Sequence, residues 1–213
     1  MNKKHFGITK LIIASNLTLT LLTGCSNLPL LSNATTYPSL TTSVDNYQYL
    51  IGPGDSLNIF VWRNPEVSGQ FLVRPDGKIT TSLVEDIPVS GKTPTMLARD
   101  IEKELSRFIR EPIVTVTVSN FVGPFSEQIR IVGEAMNPQS INYRQNMTLL
   151  DVMVAVGGLT EFANGNQAKL IRVVNNQENT YLILLDDLVK DGDISANADV
   201  LPGDIIIIPE AWF

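Results

Sequence analysis

The stretch YQYLIGPGDSLNIFVW, residues 47–62, changes character half-way along. Pro53-Gly54-Asp55 reads as a tight turn: proline presets φ, glycine permits a positive φ, and the aspartate caps the backbone. After the turn the text alternates, with Leu57, Ile59 and Val61 on one face against Asn58, Phe60 and Trp62 on the other. That period of two marks a half-buried strand. The device recurs near the far end, where Pro202-Gly203-Asp204 launches the strand in LPGDIIIIPE, 201–210. Both turns read as structural, and their aspartates are assigned no chemistry.

Working outward, GQFLVRPDGKITTS (69–82) reads as a hairpin around Pro75-Asp76-Gly77, and VEDIPVSG (84–91) as a short strand. Thr93-Pro94 is an N-cap with proline at the first helical position. Leu97, Ile101, Leu105 and Phe108 space a helical stripe that Pro112 is expected to stop. IVTVTVS (113–119) alternates as a strand with Val114, Val116 and Val118 on one face. A second unit follows Gly123-Pro124. It holds the strand EQIRIVGEA (127–135) and the helix TLLDVMVAVGGLT (148–160), with Thr148 and Asp151 as a capping-box pair and Gly157-Gly158 as its end. AKLIRVV (168–174) and NTYLILL (179–185) form a hairpin across 175–178. Strands, a helix and strands, twice over, predict an α+β fold of two small modules, 47–122 and 123–213. Each is large enough to fold around its own core.

The N-terminus obeys other rules. Lys3, Lys4 and Lys10 precede the apolar run Leu11–Leu22, interrupted by Asn16, Thr18 and Thr20. Twelve helical residues span about 18 Å against a hydrocarbon core of about 30 Å. Residues 1–24 therefore read as a secretory signal and not as a spanning helix. A buried amphipathic helix is the other reading, and the run lacks the period it needs. Leu22-Thr23-Gly24-Cys25 resembles the lipobox of bacterial lipoproteins. That resemblance implies a diacylglycerol on the Cys25 thiol, cleavage before it, and stable anchoring by several acyl chains. Ser26, where an aspartate would favour retention, implies the outer membrane. Residues 25–46, rich in Ser, Thr, Asn and Pro, read as the lipidated Cys25 and a flexible tether. Its 21 residues after Cys25 reach about 70 Å extended and about 25 Å as a coil.

Composition excludes several chemistries. With 44% hydrophobic and 18% charged residues the chain can build cores. The net charge is −6 with no Lys/Arg cluster, which disfavours nucleic acid. Removal of residues 1–24 takes away three lysines and no acid, leaving 13 basic against 22 acidic residues, a net of −9. It also removes His5, the sole histidine. No Ser-His-Asp or Cys-His site can then be built, zinc loses its usual ligands, and no glycine-rich phosphate loop is present. Asp186, Asp187, Asp191 and Asp193 read as a solvated loop, since DGDISANAD (191–199) lacks the glycine that an EF-hand calcium loop needs at its sixth position. No catalytic residue, metal or cofactor is assigned. Trp62, Tyr49, Tyr143 and Trp212 are aromatic candidates for stacking on sugar rings. For Trp62 core or subunit packing is the favoured reading, and Trp212 is expected to meet a neighbour or partner.

Taken together, YLIGPGDSLNIFVW, FLVRPDGKIT, LVEDIPVSGKT and REPIVTVTV resemble the N-terminal polysaccharide-export domain of the outer-membrane polysaccharide export proteins, the Wza-type family. IRIVGEAMNPQSINY, TLLDVMVAVGGLTEFAN, KLIRV and LPGDIIIIP resemble its soluble-ligand-binding β-grasp (SLBB) domain. Pro138-Gln139 departs from the family's Pro-Gly, so that turn is expected to be recast. The resemblance implies a non-catalytic, lipid-anchored periplasmic component of an exopolysaccharide or capsule conduit. It implies a homo-oligomeric ring of identical subunits around polysaccharide in transit. With Phe213 directly after a strand, the chain resembles the short family type, which implies an outer-membrane β-barrel partner beside an inner-membrane chain-length regulator. Two other classes remain open on the sequence: an envelope lipoprotein glycoside hydrolase or lyase built on the acidic loop, and a monomeric polysaccharide-binding lipoprotein.

Overall fold

The computed structural model describes residues 38–41, 43, 45, 47–174 and 177–212. The signal segment, the lipobox with Cys25, and the tether up to 37 lie outside the described residues.

The first module runs β1 (Ser56–Val61), β2 (Gly69–Leu72), β3 (Lys78–Ile79), β4 (Ile87–Pro88), α1 (Pro94–Leu105) and β5 (Val114–Asn120). Alternation in the sequence becomes burial: Leu57, Ile59 and Val61 point into a core, while Asn58 and Phe60 face out. β1 is the middle strand, antiparallel to β2 (Leu57↔Phe71) and to β5 (Ile59↔Val116). One face of this sheet is covered by α1 through Leu97, Ala98, Ile101 and Leu105. The helix begins where the cap chemistry dictates, with the Thr93 hydroxyl accepting from the Met96 N–H at 3.2 Å. It ends at Leu105, seven residues before Pro112, and Phe108 is exposed beyond it. The N–H groups of Phe108 and Ile109 both turn back to the Leu105 carbonyl, which tightens the last turn and breaks the stripe.

The expected 69–82 hairpin is half right. The turn closes, with Gly77 N–H donating to Arg74 O (2.9 Å) and Arg74 N–H to Lys78 O (3.0 Å). Its flanks nevertheless part: β2 pairs with β1, and β3 with β4. Val89 and Ser90 N–H groups both donate to the Gly77 carbonyl, which holds the turn on the β4 segment.

The second module contains β6 (Gln128–Gly133), β7 (Ser140–Asn142), α2 (Leu149–Val156), β8 (Ala168–Val174), β9 (Gln177–Ile183), α3 (Leu185–Val189) and β10 (Ile205–Ile208). Its sheet has the order β7-β6-β10-β8-β9. β10 is the last strand in the chain yet lies third of five, parallel to β6 and antiparallel to β8. Four isoleucines suit that central place: Ile206 and Ile208 are buried against α2's Val152, Met153 and Val156. β9 begins at Gln177 with Val174↔Gln177 paired, so the hairpin turn is shorter than 175–178. Gln139 keeps a negative φ and its carbonyl accepts from Ile131 N–H at 3.0 Å, so the Pro138 turn needs no glycine. The architecture is thus α+β in two modules with separate cores.

The acidic stretch is not a plain loop. Asp186 and Asp187 lie in α3, and both exchange hydrogen bonds with Asn166. Asp193 caps the next turn by accepting from Ser195 N–H and Oγ. Among the described residues no cluster of His, Cys, Asp or Glu is placed to hold a metal, and no helix is long and apolar enough to cross a membrane.

Candidate functional site: the module junction and two open sheet faces

The two Pro-Gly-Asp turns do more than turn. Asp55 and Asp204 are both 0% exposed. Asp55 Oδ2 accepts from the Tyr49 hydroxyl (2.6 Å) and Gly52 N–H (2.9 Å). Its Oδ1 accepts from Val122 N–H (2.6 Å) and Gly123 N–H (2.9 Å), at the boundary between the modules. One buried carboxylate therefore collects four donors and fixes the chain where it leaves the first module. Burial, then the hydrogen bond to Asp55, pushes the Tyr49 phenol far above its usual range. Gly52 is required by proximity: a Cβ there would sit 2.0 Å from the Gly123 carbonyl carbon.

Asp204 is the counterpart in the second module. Arg172 holds it bidentately, Nε at 2.9 Å and Nη2 at 2.7 Å, and Leu201 N–H donates at 2.7 Å. The hydrogen bonds that Arg172 donates to Asp204 hold its guanidinium above the usual pKa. Gly54, Gly77, Gly157, Gly158 and Gly203 all take positive φ. Pro53 and Pro202 lie within the two buried-aspartate turns; Pro75 and Asp76 are exposed, with Asp76 paired to Arg74. The sequence shows the turns but not the carboxylates' partners, because the Val122 and Gly123 donors lie 67 and 68 residues away.

The end of the expected tether is engaged. Ser39 Oγ donates to Glu127 Oε2 (2.8 Å), and Leu40 N–H donates to Glu127 Oε1 (2.9 Å). Tyr47 packs edge-on against Tyr143, centroids 4.9 Å apart, on the second module's core. Residues leading into the first module thus run along the second.

Each sheet leaves one face open. On the first module Asn58, Phe60, Gln70, Leu72, Thr115 and Thr117 are exposed on the three strands, with Trp62 just beyond β1. Phe60 (50% exposed) and Trp62 (53%) meet edge to face at 6.4 Å, and the Arg63 guanidinium lies 6.0 Å from the Trp62 ring. Trp62 is not in the core, which removes the core half of the reading of core or subunit packing. Tyr143 is buried, Tyr49 is tied to Asp55, and Trp212 is 97% exposed. On the outer face of the second sheet Val132 and Ile207 are exposed side by side, Lys169 stands between Ile207 and the exposed Leu182, and Arg130 is exposed on β6. A groove of about 620 Å³ lies between β7 and α2, but its Asp151 is committed to the Thr148 N–H and hydroxyl.

Residues 43–119 match the family described as polysaccharide biosynthesis/export protein, and residues 128–183 match the SLBB domain. The chain belongs to the polysaccharide export family of the Wza type. The junction held by Asp55 falls between these two matches. Among relatives of this export family, the exopolysaccharide production protein ExoF of Rhizobium meliloti is 28% identical over 133 residues, 56% of this chain and 30% of its own. The EPS I polysaccharide export outer membrane protein EpsA of Ralstonia nicotianae is 27% identical over 188 residues, 76% of this chain and 47% of its own. The capsule polysaccharide export protein BexD of Haemophilus influenzae is 26% identical over 152 residues, 59% of this chain and 38% of its own. The chain therefore spans less than half the length of each. EpsA and BexD are named for export and ExoF for exopolysaccharide production.

Proposed function

We propose that this protein is a non-catalytic component of an exopolysaccharide or capsule export conduit, held at the periplasmic face of the outer membrane by acyl chains on Cys25. The observation that carries the reading is the ordered pair of family matches, export domain then SLBB domain, on one chain. The outer-membrane address is supported by the name of the relative EpsA, an export outer membrane protein, and by the lipobox ending at Cys25.

In this reading copies of the chain close a ring by head-to-tail contacts. The outer face of the five-stranded sheet, where Val132 and Ile207 are exposed side by side, supplies a surface that a neighbouring subunit would bury. An outer-membrane β-barrel and an inner-membrane chain-length regulator complete the path. Two measurements test the anchored ring. Membrane fractionation of Cys25→Ala is expected to show loss from the outer membrane, and normal retention there would contradict the lipid assignment. Mass measurement of the native protein in mild detergent is expected to give a closed oligomer, and a monomer would remove the ring.

A further inference from the structure

The outer face of the three-stranded sheet is unlike that of the five-stranded one. The exposed side chains on its strands carry no formal charge: Asn58 and Phe60 on β1, Gln70 and Leu72 on β2, Thr115 and Thr117 on β5, with the Arg63 guanidinium against the Trp62 ring beyond one end. Asn58 stands between Gln70 and Thr117, and Phe60 beside Thr115. Among the described residues, the side chains of Asn58, Thr115 and Thr117 have no hydrogen-bond partner, so an amide and two hydroxyls face outward unused, whereas Gln70 is tied to Ser56 at 2.6 Å. Neighbouring strands place such groups about 4.8 Å apart, on the scale of one sugar ring.

Apolar area on this face is split. Phe60 and Trp62 form one end, Leu72 the opposite corner, and the Gln70–Asn58–Thr117 row lies between them. A subunit contact wants its apolar residues contiguous at the centre with the polar groups at the rim. The order here is reversed, whereas the five-stranded sheet sets two exposed apolar side chains, Val132 and Ile207, directly side by side. A glycan suits the arrangement. Its C–H faces stack on exposed aromatic rings and its hydroxyls exchange hydrogen bonds with amides and alcohols. The chain is acidic overall, yet this face presents no carboxylate. α1 and the first core back the sheet, so the groups are held rigidly before any ligand arrives.

We propose that this face is a track for an uncharged segment of polysaccharide, with Phe60 and Trp62 as the stacking end and Asn58, Thr115 and Thr117 as the hydrogen-bonding row. The inference rests on the export reading for its cargo. A passage needs contacts weak enough to release, so the expected Kd for a short glycan is about 1 mM.

Trp62 reports on the track directly. The 213-residue chain has two tryptophans, so Trp212→Phe leaves it with Trp62 as its one indole. Titration with cellohexaose or maltohexaose is expected to give a saturable change in Trp62 emission. Phe60→Ser is expected to weaken it about tenfold, equivalent to roughly one lost stacking contact, and Thr117→Lys to abolish it. No response to either neutral hexasaccharide would overturn the track. Saturation by hexagalacturonate alone would overturn the uncharged class. Disulfide cross-linking of Thr117→Cys to Thr117→Cys of a second copy would make the face a subunit contact and overturn the inference likewise. The export reading fails separately: it falls if deleting the gene leaves surface polysaccharide unchanged, whatever Trp62 does.

Discussion

Replacing Asp55 by alanine removes the acceptor of four hydrogen bonds at once. The Tyr49 hydroxyl and the N–H groups of Gly52, Val122 and Gly123 lose their partner. A buried donor left unsatisfied costs about 1–3 kcal/mol. Tyr49 is half-buried and can turn its hydroxyl to water, and a water can enter the space of the lost carboxylate and serve one or two of the three N–H groups. That leaves about 3–5 kcal/mol of lost stability, a large share of the 5–15 kcal/mol typical of a domain. Asp55→Asn keeps the shape but aims an amide NH₂ at donors, so about half that loss is expected. Urea unfolding followed by circular dichroism reads the effect as a lower midpoint. Hydrogen exchange is expected to accelerate first at Val122 and Gly123, since the staple closes on them. Asp76→Ala, whose carboxylate pairs with Arg74 at the surface, serves as a control with an unchanged midpoint. An Asp55→Ala protein within about 1 kcal/mol of the parent would refute the reasoning, because it would mean the four donors are satisfied without the carboxylate.

Arg172→Ala leaves Asp204 buried without its bidentate partner and is expected to cost about 3–5 kcal/mol in the same urea assay. Gly52→Ala drives a Cβ to 2.0 Å from the Gly123 carbonyl carbon, so soluble yield and melting temperature are expected to fall sharply, whereas alanine at Gly91, where a Cβ meets nothing within 4 Å and only the positive φ of 78° is unfavourable, is expected to cost no more than about 1–2 kcal/mol. The raised phenol of Tyr49 ties stability to high pH. Below the unfolded tyrosine value of about 10 both states hold the proton, and above it only the folded state does, so stability falls as pH climbs past that point. Thermal melts across pH 9–11 (a range set by that value of about 10) are expected to show the drop in the parent and less of it in Tyr49→Phe.

Much of the frame is readable because it is local. The alternation of Leu57, Ile59 and Val61 and the cap at Thr93-Pro94 each depend on neighbours within a few residues, and each stands where the sequence places it. Errors arise where distant groups decide. Pro75-Asp76-Gly77 is a turn by its own chemistry, but Val89 and Ser90 determine which strand its second arm joins. Phe108 continues the helical period on paper, while carbonyl sharing at Leu105 ends the helix first. The role of Asp55 is invisible locally because half its donors arrive from the far side of the first module. Trp62 directly follows an alternating strand whose second face has no covering layer among the described residues, and alternation alone does not say which face stays bare. Ser39 and Leu40 look like tether by composition; only the approach of Glu127 binds them to the body.

The central claim is transport without bond-breaking, and pulse-labelling of polysaccharide in a strain lacking this gene tests it most directly. The account predicts that lipid-linked precursor and long polymer are still made but stay inside the envelope, with none at the surface, and that the purified protein leaves polymer length unchanged. Label reaching the surface at the normal rate would contradict it, as would polymer shortened by the purified protein.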